Sequence, residues 1–384
     1  MTGGLIASAR RQTASIFFCY GVAGIYWGAF VASLPAFQRI TGLSDAGFGA
    51  LLMLLTLGGI VTMQWLGRVL HRVQAVAIPV SLIGFAAGMI VLGLTTGPVS
   101  FGIALLLAGA ASGALDIAMN MRVARIETDL NIRLFNRVHA LFPFSMLVTS
   151  ALVGLLREWG ATPAMIFPPA AIFLLIGAAV EWQAGAHQKP GSAGSTGTAR
   201  ISLRGVLLAL GALAALGAIM EGGAHTWSAL YVEGALGAGP FVAGLAAAAI
   251  TLGLTTGRLI AHRLEHRLRD MVIIRISALL ALPAFVLLAY GSSPALAILG
   301  FFIAGVGIGP VEPAVFRSVS KRHGEADRGR ALALATGLAY VGYLTSPPAM
   351  GALIDSFGWP MMWLTLCIFA VAASLLTTRI APAR

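Results

Sequence analysis

The chain has 384 residues, of which 58% are Ala, Val, Ile, Leu, Met, Phe, Trp, Tyr or Cys and only 10% are charged; its mean hydropathy is +0.89. A water-soluble domain carries roughly 25% charged residues, so a soluble enzyme or binding module is excluded and an integral membrane protein is indicated. The formal net charge of +11 would suit nucleic acid as a partner, but the placement of the basic side chains assigns it to membrane topology instead.

Each crossing of the hydrocarbon needs ~20 mostly apolar residues in a helix, and twelve such stretches occur. The first six lie near 14–36, 46–66, 73–94, 98–121, 138–156 and 161–181, the second six near 204–232, 240–261, 271–290, 294–316, 330–352 and 359–378. With the N-terminus inside, every Lys and Arg except Arg39 and Arg157 falls on the cytoplasmic side, including Arg10 and Arg11, Arg68 and Arg72, and the 122–137, 258–275 and 317–330 groups. This is the positive-inside pattern. It predicts cytoplasmic N- and C-termini in a bacterial inner membrane, with the bilayer, not nucleic acid, as the surrounding partner. Arg10 and Arg11 precede a full-length span without a small-residue cleavage site, so a cleaved signal is not expected.

In the first span, Tyr26 and Trp27 fall near mid-depth, where their rings either stack on the apolar face of a sugar or cyclitol, attract a cation, or simply pack. Cys19 and Cys367, in the first and last spans, read as buried free thiols, and two such residues build neither a disulfide framework nor a metal site. The fourth span carries "GALDIAMN" (113–120). An intramembrane charge costs at least ~2.5–3.5 kcal/mol on insertion scales, so Asp116 needs a reason. With Asn120 at i+4 on the same helix face, it presents an acceptor and an amide to one cavity and suits a group that gains and loses a proton. The alternative is a pin between helix ends, with Arg122 or Arg137 as its partner. His139 follows at the expected cytoplasmic mouth.

The stretch 182–203, rich in Gly, Ser, Thr and Pro, reads as a flexible cytoplasmic linker. It divides the chain into six-span halves, 1–181 and 204–384, and these halves repeat. "GALDIAMNMR" from Gly113 matches "GPVEPAVFRS" from Gly309, with an acid three residues after the glycine and Arg122 or Arg317 within two turns. "GRVLHR" (67–72) matches "GRLIAHR" (257–263), Asn136-Arg137 matches Gly329-Arg330, and "GLSDAGFG" (42–49) matches "GAGPFVAG" (237–244).

In the second half, "MEGGAHTWSALY" (220–231) sets Glu221 and His225 one turn apart around two glycines that permit a bend. They form a proton relay or a mutually bonded pair, and Trp227 is placed to cap a pocket from outside. Glu312 lies between Pro310 and Pro313, which free backbone carbonyls from helix bonding. It lines a cavity in a broken helix, or it is held as a gate by Arg317 or Arg330. Tyr340 and Tyr343 in the eleventh span have the same standing as Tyr26 and Trp27.

Duplicated six-helix halves joined by a cytoplasmic linker resemble the major facilitator superfamily of secondary transporters. The resemblance implies an all-α membrane protein of twelve transmembrane helices in two pseudo-symmetric six-helix bundles, working by alternating access. Gly67 to Arg72 approximates the superfamily's G-x-x-x-D-R loop, with His71 in place of its Asp; Gly257, His262 and Arg263 form the second copy. Together with Arg137 and Arg330 these are the expected gating residues, and a protonated His would make the gate sensitive to internal pH. A narrower resemblance, to fucose-type sugar:proton symporters, rests on Leu34-Pro35-Ala36-Phe37-Gln38, Asp116-Ile117-Ala118-Met119-Asn120 and Pro313-Ala314-Val315-Phe316, although Val31 stands where those symporters hold an Asp. The overall pattern is also similar to bacterial inner-membrane carriers related to a proposed rhizopine (amino-cyclitol) transporter.

The expected function is proton-coupled transport of a small polar solute such as a sugar, cyclitol or amino-sugar. Asp116, Asn120, Tyr26, Trp27, Trp227, Tyr340 and Tyr343 would bind it, and Asp116, Glu221, His225 and Glu312 would handle the proton. No cofactor or metal is expected, and the protein is expected to be a monomer. Lys189 and Lys321 lie outside any P-loop pattern, so an ion gradient is the energy source. Proton-driven efflux of amphipathic compounds is the alternative. A membrane-embedded enzyme is disfavoured by the absence of G-x-S-x-G and H-E-x-x-H, and a channel by the absence of a charged ring or filter loop.

Overall fold

The structure is a computed structural model that describes residues 2–130, 132, 134–185 and 205–380. In chain order the helices are α1 (Thr2–Thr41), α2 (Asp45–Gly93), α3 (Pro98–Leu130), α4 (Phe135–Glu158), α5 (Pro163–Gly185), α6 (Gly205–Leu230), α7 (Pro240–Leu264), α8 (Asp270–Tyr290), α9 (Pro294–Ile308), α10 (Val311–Arg322) and α11 (Glu325–Arg379), with one π-helical turn, Tyr231–Ala235, after α6. Several begin on proline, whose missing N–H is not needed in the first turn. Large apolar side chains such as Val99, Ile103, Phe144, Leu152, Leu259, Ile368 and Leu375 are exposed, as expected where the surroundings are lipid rather than water.

Among the described residues, eleven helices are long and apolar enough to cross a membrane, where the sequence predicts twelve. The difference lies in the last one, Asp327–Arg379, of 53 residues. A single helix of that length would be about 80 Å long, far more than the ~30 Å hydrocarbon. It is broken at Gly358, whose φ of 81° belongs to the left-handed region open to glycine. The expected spans 330–352 and 359–378 run together across this kink.

The chain separates into two compact units, Met1–Gly42 with Leu54–Thr196 and Leu43–Met53 with Gly197–Arg384. Residues 43–53, the first turns of α2, group with the second unit. In the first unit α1 packs on α4, α5 and α3; in the second α6 packs on α11, and α9 on α7 and α8. The expected linker begins at 182, but α5 continues to Gly185, and residues 186–203 lie outside the described residues.

The repeat extends to backbone packing. In the first unit Gly109 and Gly113 sit against the backbone of Leu55 and Gly59; in the second, Gly305 and Gly309 sit against the backbone of Ile250 and Leu254. Each pair is one turn apart on the fourth span or its counterpart, and no Cβ fits at any of the four. Turns correspond too: Gly42 (φ 63°) and Gly237 (φ 65°) precede α2 and α7, while Gly160 (φ 91°) and Gly358 (φ 81°) occupy matching places near Pro163 and Pro360.

Candidate functional site

Each unit contains a polar cluster embedded in apolar helices, and the two are built differently. In the first unit, Asn120 on α3 is the hub. Its Nδ2 donates to Asp116 Oδ1 (3.2 Å), and its Oδ1 accepts from the Tyr20 hydroxyl on α1 (2.8 Å). His139 on α4 places Nε2 3.0 Å from the same Oδ1 and 3.2 Å from the Tyr20 oxygen. With its proton on Nε2, His139 acts as a donor to these oxygens. The Tyr20 and His139 rings meet edge to face at 4.9 Å. The i, i+4 spacing read from the sequence thus joins Asp116 and Asn120. Neither Arg122 nor Arg137 forms an ion pair with Asp116 among the described residues, so the helix-pin reading is not what the geometry displays. Tyr20 was not singled out by the sequence, and His139, expected at the mouth, belongs to the network.

Buried Arg122 carries two N–H-bearing nitrogens, Nε and Nη2, without partners among the described residues, and Glu181 on α5 has a buried unpartnered Oε1. Neither joins the Asp116 network.

In the second unit the cluster is charged. The Glu221 carboxylate on α6 is held by Arg258 on α7, whose Nη2 lies 3.1 Å from each carboxylate oxygen. Arg258 Nε donates to the Gly309 carbonyl at 3.1 Å. The sequence explains that bond: in a continuous helix the Gly309 carbonyl would accept from the N–H four residues on, and that residue is Pro313, which has none. Pro310 also separates α9 from α10, so the freed carbonyl is turned toward an incoming guanidinium. Glu312, in the first turn of α10, has a buried Oε1 without a partner among the described residues. Tyr343 on α11 lies against both Glu221 and Glu312.

Several expectations need correction here. Glu221 and His225 share no hydrogen bond among the described residues, although the Glu221 charge acts on the His225 ring: His225 Nε2 faces Thr251 Oγ1 at 3.1 Å, and Glu221 is bonded to Arg258. Arg258 was counted among the topology-setting loop charges but reaches back into the bundle. A sequence signal existed, because an acid as isolated as Glu221 in an apolar span requires a nearby cation. Arg317 does not hold Glu312. Its Nε donates to Asp270 Oδ1 (2.9 Å) and its Nη1 to Glu265 Oε2, while Lys321 Nζ donates to Asp270 Oδ2 (3.0 Å). His262 Nδ1 lies 2.9 Å from Glu265 Oε1. Glu265 and the buried Asp270 thus supply the negative charge that the superfamily loop places where His262 stands.

Two of the expected ligand-facing rings are packed away. Tyr26 has no exposed surface and sits against Phe30 and Phe85, its hydroxyl lacking a partner among the described residues. Trp227 is equally buried, in contact with Trp359, which with Tyr231 and Trp363 extends an aromatic cluster. It forms part of the bundle's interior and does not cap a pocket from outside. Trp27, Tyr340 and Tyr343 are half-buried. Of the expected gating residues, Gly257 abuts the Val306 carbonyl of α9, with no space for a Cβ. Gly67 has the Ile117 side chain nearby, Arg137 and Arg263 are exposed, and Arg330 is half-buried. The side chains of His71 and Arg72 lie outside the described residues. Cys19 is buried and Cys367 half-buried, both free.

A bundle of apolar helices repeated in two halves, each with a polar cluster inside, is the architecture of a transporter. The profile of the Major Facilitator Superfamily matches residues 16–326 and 207–384, and the chain belongs to that superfamily. An uncharacterized MFS-type transporter of Yersinia pestis is 27% identical over 369 residues, covering 94% of each chain. An uncharacterized transporter of Sinorhizobium fredii is 26% identical, covering 92% of this chain and 94% of its own. Membrane protein MosC of Rhizobium meliloti is 23% identical, covering 90% and 84%. Among solved structures, a bacterial homolog of the human lysosomal transporter Spinster, inward-facing and unoccupied, superposes with a TM-score of 0.75 at 13% identity over 97% of both chains. A variant of the nucleoside transporter NupG gives 0.76 at 14% identity over 96% of this chain and 99% of its own. These likenesses establish the fold.

Proposed function

We propose that this protein is a proton-coupled secondary transporter of a small polar solute, working by alternating access. The observation that carries the reading is a pair of carboxyl groups at matching positions of the repeat. Asp116 and Glu312 each follow a close-packed glycine by three residues, and neither has an ion-pair partner among the described residues. Intramembrane acids are ordinarily paired unless they serve ions or substrate, and a carboxyl without a cation can be carried protonated through part of a cycle. The Asp116–Asn120–Tyr20–His139 network offers donors and acceptors for hydroxyls or an amine. The Glu221–Arg258–Glu312–Tyr343 cluster offers a place for the proton.

The reading includes twelve spans in two six-helix halves, 1–181 and 204–384. Gly358 divides α11 where Gly160 separates α4 from α5, and each resulting piece is long enough to cross the hydrocarbon. The positive-inside pattern supports cytoplasmic termini in a bacterial inner membrane, and a monomer is sufficient for the mechanism. Resemblance to fucose-type symporters and rhizopine-related carriers favours sugars, cyclitols and amino-sugars as solutes.

The test combines binding and transport by the purified protein. A thermal-shift screen against sugars, cyclitols, amino-sugars, nucleosides and amphipathic dyes is followed by uptake of each hit into proteoliposomes with and without a pH gradient. A ligand at ~100 Kd adds ~2.7 kcal/mol of stability. One or a few polar ligands, taken up faster with the gradient, are expected. Broad stabilisation by dyes would move the assignment to efflux, and uptake indifferent to the gradient would remove proton coupling.

A further inference from the structure

His225, an expected proton carrier, belongs to neither polar cluster, and its surroundings lie within the second unit. Its Nε2 stands 3.1 Å from Thr251 Oγ1 on α7. The same Thr251 hydroxyl donates to the Ala247 carbonyl at 2.9 Å. A hydroxyl has one proton to give, so toward the imidazole it acts as an acceptor. Nε2 therefore carries the ring hydrogen, and in the neutral imidazole Nδ1 is left with its lone pair. Nδ1 has no hydrogen-bond partner among the described residues, and the half-buried side chain leaves it open to a small molecule.

The groups beside it have the same polarity. Thr255, one turn from Thr251 on α7, donates its hydroxyl hydrogen to the Thr251 carbonyl (2.9 Å), and Ser228 on α6 donates to the His225 carbonyl (2.9 Å). These hydroxyl hydrogens are spent on the backbone, so what remains for a ligand is acceptors. The charges that act on the ring are those of Glu221 and Arg258, and these two groups are bonded to each other. An ammonium would find no uncompensated negative charge here, and a carboxylate would meet lone pairs. A neutral hydroxyl fits.

We infer that His225 is a solute-binding residue: Nδ1, kept bare by the Thr251 hydroxyl, accepts a hydrogen bond from a hydroxyl group of a neutral polyhydroxylated solute. Thr251 is a positioning residue that acts through the ring. The assignment rests on the transport reading and deepens it, but it requires neither Asp116 nor a particular coupling ion.

The experiment titrates the purified full-length protein, labelled with nitrogen-15 in histidine, with myo-inositol, mannitol and glucose. The His225 ring signals are identified by their loss in His225→Gln. Without solute the ring is expected in the Nε2–H form; Thr251→Val should mix the two tautomers, and Thr251→Ser should restore one. At least one of the polyols should shift Nδ1 while Nε2 stays protonated. Calorimetry then gives Kd for the variants. In His225→Gln the amide reaches the ε position and keeps the Thr251 contact without an acceptor at the δ position, so Kd should rise about fivefold, the worth of one hydrogen bond. In His225→Asn the amide stands at the δ position, and Kd should stay close to that of the wild type. Exchange at equal pH and gradient-driven uptake should fall together in His225→Gln, whereas a proton relay would lose the second alone. Equal losses of affinity in the two variants, a loss confined to gradient-driven uptake, or an Nδ1 signal unmoved by all the polyols would overturn the inference. Failure of the transport reading would appear separately, as a polyol that moves Nδ1 but is not taken up.

Discussion

The two polar clusters occupy corresponding places in a duplicated chain, yet one is neutral in its hydrogen bonding and the other is ionic. In the first unit Asp116 sits in an unbroken helix, bonded to the Asn120 amide, which is bonded in turn to a phenol and an imidazole. In the second, Pro310 and Pro313 interrupt the helix at Glu312, and the freed Gly309 carbonyl draws in Arg258, which also neutralises Glu221. The two prolines therefore account for the difference: they create an acceptor that only an incoming cation satisfies. A network of neutral groups can exchange partners with a hydroxylated solute at low cost, because each broken bond is remade. A cluster with two carboxylates and one guanidinium instead responds to the arrival or loss of a proton.

The largest expected effect separates the two regions by charge. Arg258→Gln leaves Glu221 and Glu312 facing each other without a cation and leaves the Gly309 carbonyl unpaired. Hydrogen bonds to charged groups contribute about 1.5–3 kcal/mol each, so Tm should fall by several degrees and transport should be lost. Arg258→Lys keeps the charge but cannot reach both partners with a fixed fork, and is expected to recover stability only in part. A folded, active Arg258→Gln protein would show that the cluster is not organised by this residue.

Next in size are the acids. Glu312→Gln should reduce gradient-driven uptake by at least tenfold with little change in Tm, since its Oε1 has no partner to lose. Asp116→Ala should cost solute affinity as well, by ~1–3 kcal/mol for the buried donor left unpaired, read as a rise in Kd of about five- to 150-fold. If Glu312→Gln weakens binding as much as Asp116→Ala, the division between a recognition region and a coupling region is wrong.

The smallest effect concerns the neutral network. Tyr20→Phe removes one hydroxyl from Asn120 while His139 still bonds the same oxygen, so a loss of about 1 kcal/mol, or roughly fivefold in Kd, is expected without change in the pH dependence of uptake. A shift of the pH profile in Tyr20→Phe would show that the proton passes through this network too.

Much of the fold was legible in the sequence because lipid imposes a simple rule: apolar windows of span length mark helices, and the repeat of Gly113 at Gly309 marks the duplication down to the backbone contacts those glycines permit. The i, i+4 relation of Asp116 and Asn120 was equally legible, since one helix fixes it. What escaped depends on neighbours in space. Arg258 looked like a loop charge because the positive-inside rule sorts residues by side and not by direction. Trp227 and Tyr26 looked available because an aromatic residue among mostly apolar neighbours gives no sign of which face is buried. The pairing of Arg317 with Asp270 and Glu265, in place of Glu312, was hidden because those acids lie 47 and 52 residues away in the chain.

The central claim is that the carboxyls at 116 and 312 couple solute to proton movement. The most direct measurement compares two activities of one preparation in proteoliposomes: uptake driven by a pH gradient, and exchange of labelled for unlabelled solute at equal pH on both sides. Substituting Asp116→Asn or Glu312→Gln keeps size and a hydrogen-bonding group but removes titration, so gradient-driven uptake should collapse while exchange, which needs no net proton movement, persists. Full gradient-driven uptake by both folded variants would contradict the account.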